Sequence, residues 1–157
     1  MSLEKVLNYF ESKGMAERVL ILEESSATVE LAAHALHCQP GRIAKTLSFL
    51  VSERPVLVVM AGDAKVNNSK FKAVFKEKAR MLTAEQTEML VGHTVGGVCP
   101  FAVNEGVQIY LDDSLKRFDT VFPACGSGNS AIELTLPELE ALSNFVSYVD
   151  VTKLPGI

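Results

Sequence analysis

The residue most out of place in this chain is a lysine. Residues 43–51 have the apolar density of a buried strand, and successive side chains of a strand face opposite ways. Ile43, Lys45, Leu47, Phe49 and Val51 share one face, and Ala44, Thr46, Ser48, Leu50 and Ser52 share the other. The first face is apolar except for Lys45, so it is expected to be the core face. An unpaired ammonium is costly to bury. Lys45 therefore either reaches water along its own methylenes or stands on the wall of a pocket. There it would offer three donors and a charge to an anionic or carbonyl ligand.

Two glycine-rich segments could supply backbone donors beside such a ligand. They are Gly96-Gly97-Val98-Cys99-Pro100 and Ala124-Cys125-Gly126-Ser127-Gly128-Asn129-Ser130. Glycine lets backbone approach a bound group closely, and it equally serves tight turns that need positive φ. Both readings stay open for each segment. No GxGxxG and no GxxxxGK[ST] occurs, so neither standard nucleotide loop is supported, and GxSxG is absent too.

The cysteines Cys38, Cys99 and Cys125 are odd in number and widely spaced, which indicates reduced thiols, a cytoplasmic setting and no disulfide framework. His93 lies six positions before Cys99, so a Cys/His nucleophile is conceivable. His34, His37 and Cys38 form one local cluster, but no second ligand pair such as CxxC accompanies it, so no metal is expected.

Charge is unevenly placed. The 157 residues carry 15 Lys+Arg and 19 Asp+Glu, a net charge of −4. That balance excludes bulk, sequence-independent coating of nucleic acid, DNA included. Lys65, Lys70, Lys72, Lys76, Lys78 and Arg80 nevertheless stand together against the single acid Glu77, a local +5, which leaves nine basic and eighteen acidic residues, −9, elsewhere. Such a stretch is either a solvated helix face or a dock for a polyanion, with Lys65, Lys70, Lys72 and Lys76 as its contacts.

The elements that must position these residues follow from periodicity. Residues 3–13 read as an amphipathic helix stopped by Gly14, and Val19–Leu22 as a short strand. Thr28 caps a helix running to Leu36, with Val29, Leu31, Ala32, Ala35 and Leu36 inward. Residues 43–51 and 55–61 form a hairpin. A helix spans 67–78, with Phe71, Val74 and Phe75 inward, and Thr83-Ala84-Glu85-Gln86 is a capping box opening a helix to about Val91. Residues 92–100 are loop; strands follow near 107–111, 120–124 and 130–135. A second capping box at Thr135–Glu138 leads a helix to about Asn144, before a strand at 146–151. Helices and strands intermix without strict βαβ alternation, so one mixed α/β domain over 1–157 is expected, a curved mixed sheet with helices around it. The longest clean apolar run is Val56–Ala61 and the N-terminus lacks a basic start, so neither a membrane span nor a secretory signal is expected.

Taken in order, several segments resemble the YbaK-type aminoacyl-tRNA editing domain. They are Thr28-Val29-Glu30-Leu31-Ala32-Ala33, Arg42-Ile43-Ala44-Lys45-Thr46-Leu47 and Ala61-Gly62-Asp63-Ala64-Lys65-Val66. Gly96-Gly97-Val98-Cys99-Pro100-Phe101, Asp112-Asp113-Ser114 and Ala124-Cys125-Gly126-Ser127-Gly128 continue the match across the chain. The family is similar to the insertion domain of bacterial prolyl-tRNA synthetase and to freestanding deacylases that hydrolyse the ester between a wrong amino acid and the tRNA 3′ end. The resemblance implies a mixed sheet closing toward a barrel, and no metal or organic cofactor. The family's lysine matches Lys45, and its GxxxP loop matches Gly96 and Pro100. Implied catalytic groups are Lys45, Gly96 and Gly97; implied substrate contacts are Thr46, Asp63, Pro100, Phe101, Cys125, Gly126, Ser127, Gly128 and Asn129. Where family members often carry a serine and an acid, this chain has Ala124 and Ala131. Expected partners are an aminoacyl-tRNA, whose cargo would be Cys or Ala on tRNA(Pro), and an aminoacyl-tRNA synthetase. A cysteine cargo would allow its own thiol to attack the ester. Two other readings stand beside this one: a non-catalytic module holding charged tRNA, a synthetase or another anionic ligand in the same pocket, and a hydrolase using Cys99 or Cys125.

Overall fold

The computed structural model of the chain describes residues 2–155. Helix α1 (Ser2–Ser12) buries Val6 and Phe10, and the chain leaves it through Gly14 at φ +71°. Strand β1 (Leu20–Ile21) is shorter than expected and exposes both side chains. Thr28 caps α2 (Val29–Leu36) by accepting from the Leu31 N–H. Ala32 and Ala33 turn inward there, whereas Leu31, expected inside, is exposed. The hairpin forms as expected, from β2 (Ile43–Val51) and β3 (Arg54–Ala61). Its two-residue turn, Ser52-Glu53, has both φ values positive, the twist that suits tight hairpins.

β4 (Lys65–Val66) leads into α3 (Asn68–Phe75). This helix is shorter than expected: Lys76 adopts left-handed φ +66° and ends it, and Val74 is exposed while Phe71 is buried. The Thr83 capping box opens α4 (Ala84–Gln86), which runs on into a π turn, Thr87–Val91. β5 (Gln108–Asp112) and β6 (Thr120–Pro123) follow. The expected strand at 130–135 is split into β7 (Ser130–Ala131) and β8 (Leu134–Thr135), because the two halves join different partners. The second capping box opens α5 (Leu136–Ser143). Of the last expected strand, 146–151, only β9 (Tyr148–Val149) forms, and a separate strand, β10 (Thr152–Lys153), follows beyond it.

The main sheet is six-stranded, in the order β8-β6-β2-β3-β5-β9, mixed in direction and curled into half a barrel. Two short ladders, β1-β7 and β10-β4, flank it. β3 explains the arrangement. Leu57, Val59 and Ala61 pack into one core with Val6, Phe10, Phe101 and Leu111, while Val56, Val58 and Met60 pack into another with Phe49 and Phe71. Covered on both faces, β3 is apolar throughout its inner length, as central strands are. The same covering corrects the expectation for β2: both of its faces are core faces, with Ala44 in the first cluster and Phe49 in the second. No described helix is long and apolar enough to cross a membrane.

Candidate functional site

The site begins with an interruption in the sheet. β2 pairs with β3 along one edge, over Ala44–Val51. On its other edge it pairs with β6 only at Ile43–Phe122 and Ala44–Pro123. Further along, the Leu82 N–H donates to the Ser48 carbonyl (3.0 Å) and the Leu50 N–H to the Arg80 carbonyl (2.8 Å). Main-chain groups of alternate residues point the same way. The N–H and C=O of Thr46 and the N–H of Ser48 therefore face the gap between these two pairings. A cleft of about 310 Å³ opens there, walled by α2, residues 43–48, Met81, Leu82, the loop at 95–98 and Ala124, Ser130 and Ala131.

Among the described residues, Lys45 is the one ionisable group lining that cleft. Its ammonium donates to the Ala64 carbonyl at 2.5 Å and, more weakly, to the Gly62 carbonyl at 3.5 Å. Burial pushes its pKa down, partly opposed by the carboxylates of Asp63 and Glu30. Half-buried, with donor capacity remaining, the group fits a pocket wall better than a surface lysine. Thr46 lines the cleft beside it, and the Thr46 and Ser26 hydroxyl oxygens are buried without a hydrogen-bond partner among the described residues. Buried polar groups are ordinarily paired, so two orphans in one cleft mark a place for a ligand's polar atoms.

The two glycine loops meet at this wall, mostly by holding each other. A Cβ on Gly97 would lie 2.5 Å from the Gly126 carbonyl carbon and the Ser127 nitrogen, so only glycine lets the loops touch. The Gly97 N–H is also spent, donating to the Thr94 carbonyl at 3.0 Å. Gly96, at φ +98°, does line the cleft. Ala27 sits between the loops, its Cβ 3.4 Å from the site of a Gly96 Cβ and 3.5 Å from that of Gly128. Gly126, at φ +95°, packs against Ser2. Ser127 binds Asn129 and Ser130, and the Gly128 and Asn129 carbonyls accept from the Ser26 and Leu22 N–H groups. This loop therefore braces residues 22–26 against the cleft.

Other expected contacts lie elsewhere. Asp63 sits in the turn that holds Lys45 and forms a two-point pair with Arg117, at 2.6 and 3.0 Å, which holds its carboxyl below the ordinary value. Pro100 and Phe101 are buried behind the loop; Phe101 meets Phe10 edge to face and stacks against Tyr9. Cys99 and Cys125 are buried, and burial drives both thiols upward, Cys99 to about 12. The Cys99 sulfur lies 3.6 Å from His93 Nε2, yet that nitrogen also meets the Phe101 carbonyl at 2.7 Å, and burial lowers the imidazole's pKa. A neutral, enclosed pair of this kind supplies no thiolate. Among the described residues, no group of three His, Cys, Asp or Glu side chains is placed to hold a metal.

The basic stretch divides. Lys70 is tied to Asp150 (3.0 Å) and to the Thr152 carbonyl, and Arg80 lies 3.8 Å from Glu53. Lys65, Lys72 and Lys76 are exposed, with no salt-bridge partner among the described residues. None of the six cations lines the cleft. The lining residues that sequence reasoning missed include Ser26, Ala27, Met81, Leu82, Thr87 and Phe122. Contacts between distant segments bring them there, and nothing in their own spacing announces it.

A family model described as the aminoacyl-tRNA editing domain matches residues 23–142. The chain is 48% identical over 154 residues to the uncharacterized protein YwhH of Bacillus subtilis (strain 168), a match covering 98% of each. It is 34% identical over 101 residues to a proline–tRNA ligase of Geobacillus sp. (strain WCH70), a match spanning 64% of this chain and 18% of the ligase. A solved structure described as a proposed trans-editing enzyme for prolyl tRNA synthetase superposes with a TM-score of 0.86, at 27% identity and 97% coverage of both chains. That of a hypothetical protein superposes at 0.83, with 29% identity, covering 95% of this chain and 99% of its own.

Proposed function

The chain belongs to the aminoacyl-tRNA editing domain family, and from that premise we propose that it acts in trans as a cytoplasmic aminoacyl-tRNA deacylase, removing Ala or Cys from tRNA(Pro). The observation that carries this reading is Lys45: a half-buried ammonium at the wall of an apolar cleft in which the Thr46 and Ser26 hydroxyl oxygens lack partners among the described residues. The ammonium would bind the terminal phosphate or the ester carbonyl as charge develops on oxygen. The aminoacyl end of the substrate would enter this cleft of about 310 Å³, the body of the tRNA remaining outside it. Lys45 being the single ionisable residue among those described along the wall, no carboxylate or imidazole there acts as general base. Water would be oriented by the bound ester and the adjacent ribose hydroxyl, and its addition to the carbonyl carbon releases the ribose oxygen as an alcohol. On a cysteinyl ester the substrate's own sulfur could take the place of that water.

Exposed Lys65, Lys72 and Lys76 would guide the acceptor stem, and Lys70 less so because it is already paired. The link to prolyl-tRNA synthetase rests on the described activity of the structural neighbour and the ligase match. The test loads tRNAs with Cys, Ala, Ser and Pro and follows deacylation by wild type and Lys45→Ala. Faster hydrolysis of one ester by wild type alone supports the reading; equal rates for both proteins end it for Lys45. A cleft wall without a base favours one other reading, binding of charged tRNA without turnover. Saturable binding with no hydrolysis across the panel would select it.

A further inference from the structure

The unpaired edge of β2 has the form of a half-made strand pairing. Thr46 presents an N–H and a C=O, and Ser48 an N–H, between the pairings at Ala44–Pro123 and Ser48–Leu82. These groups recur about every 7 Å along an extended strand, the repeat of one residue pair. An amino acid esterified through its carboxyl keeps a matching set of groups, a carbonyl oxygen and an α-ammonium on one carbon. Resting on the deacylase reading, we infer that this edge recognises the substrate as an α-amino ester. The Thr46 carbonyl accepts from the α-ammonium, and the Ser48 N–H donates to the ester carbonyl oxygen. The buried, unpartnered Thr46 and Ser26 hydroxyl oxygens lie in the same cleft and can accept the remaining ammonium protons. Lys45 is the only charge among the described wall residues, so the ammonium must be held by neutral oxygens. Neutral oxygens hold an ammonium only when several converge.

The recognised class is therefore esters with a free α-amino group. An N-blocked aminoacyl end, including the first peptide bond of a peptidyl-tRNA, would present no ammonium and an extra carbonyl to the Thr46 carbonyl. The experiment compares each aminoacyl-tRNA of the panel with its N-acetyl derivative. Because the free ammonium itself activates the ester, each rate is divided by its spontaneous rate. The acceleration is expected to fall roughly 10- to 100-fold on acetylation, the worth of one charge-assisted hydrogen bond. In parallel, the amide resonances of Thr46 and Ser48 are followed while 3′-alanylamino-3′-deoxyadenosine or its N-acetyl form is added. Shifts at both residues with the free amine alone are expected. Equal accelerations with and without acetylation overturn the inference and leave the deacylase reading standing. No hydrolysis of any ester, with amine-dependent shifts at Thr46 and Ser48, overturns the deacylase reading and retains the recognition.

Discussion

Replacing Lys45 with methionine separates what the ammonium does for the fold from what it does for the reaction. Methionine keeps an unbranched chain and removes the charge and all three donors. The hydrogen bond to the Ala64 carbonyl (2.5 Å) and the weaker one to Gly62 (3.5 Å) disappear. A bond of this kind is worth about 1 kcal/mol net. Against it stands the burial that depresses the Lys45 pKa, which means that the fold disfavours the charged form. The two effects oppose, so stability should change by no more than about 1 kcal/mol, and the melting temperature by roughly 2–4 °C. The reaction has no such offset. Losing one charged donor to a phosphate or developing oxyanion removes about 1.5–3 kcal/mol, roughly 10- to 150-fold in kcat/KM. Single-turnover deacylation with protein in excess, beside a thermal melt, reads both quantities. The pH dependence has a definite sign. As pH rises through the depressed pKa, the folded chain loses this proton before the unfolded chain does, at the ordinary 10.5. Between those values wild-type stability should rise relative to Lys45→Met, and the catalytic advantage of wild type, corrected for spontaneous hydrolysis, should fall. A methionine variant that melts like wild type and deacylates within twofold of it would refute the assignment.

Three further outcomes are expected. Reversing charge at Lys72 and Lys76 should flatten the salt dependence of tRNA binding by about 0.7–0.9 in log–log slope for each phosphate no longer neutralised, measured by filter binding; Lys70→Gln should move that slope less, because Asp150 and Thr152 already hold Lys70. Iodoacetamide should label Cys38 in the native protein, label Cys99 and Cys125 only in denaturant, and leave deacylation intact, as mass spectrometry and activity together would show. Glu138, held at a pKa of about 2 by Arg18 and by its capping-box bond to Thr135, contributes stability that is complete above its ordinary 4.5. Urea midpoints should drop as pH falls from 4.5 toward 2, and Glu138→Gln should lessen that drop.

What the sequence reveals follows from which interactions are local. The capping boxes at Thr83 and Thr135 and the hairpin of β2 and β3 are written in a few adjacent residues, and the structure has them where periodicity puts them. Lys45 is legible because an ammonium breaks an apolar alternation. Boundaries set by distant partners are not legible. The segment 130–135 divides because β7 pairs with β1 and β8 with β6. Leu31 and Val74 carry an apolar type on the outward side of their helices, so type alone misplaces them. The glycine loops read equally as ligand cradles or as tight turns. Gly97 instead has a loop-against-loop approach of 2.5 Å to relieve, an obligation invisible without its partner Gly126.

The same distinction explains why the cleft lies where it does. An unpaired strand edge is a hazard, because any extended segment can add to it. Here the opening is bounded on both sides. β6 meets β2 only as far as Ala44–Pro123, and Ala124 bridges to Ala131 instead. Further along β2, the strand-like stretch Arg80–Leu82 closes the edge again through Ser48 and Leu50. What remains is about one residue pair long, too short to seat a strand and long enough for one amino acid. The glycine-to-glycine approach matters for this geometry, since Gly97 against Gly126 and Ser127 fixes the loop carrying Gly96 beside the strand carrying Ala131. A side chain at Gly97 would push those walls apart and widen the opening. The glycines thus set the width of the cleft, and the main-chain donors of Thr46 and Ser48 that face it belong to β2, whose sequence carries no glycine at all.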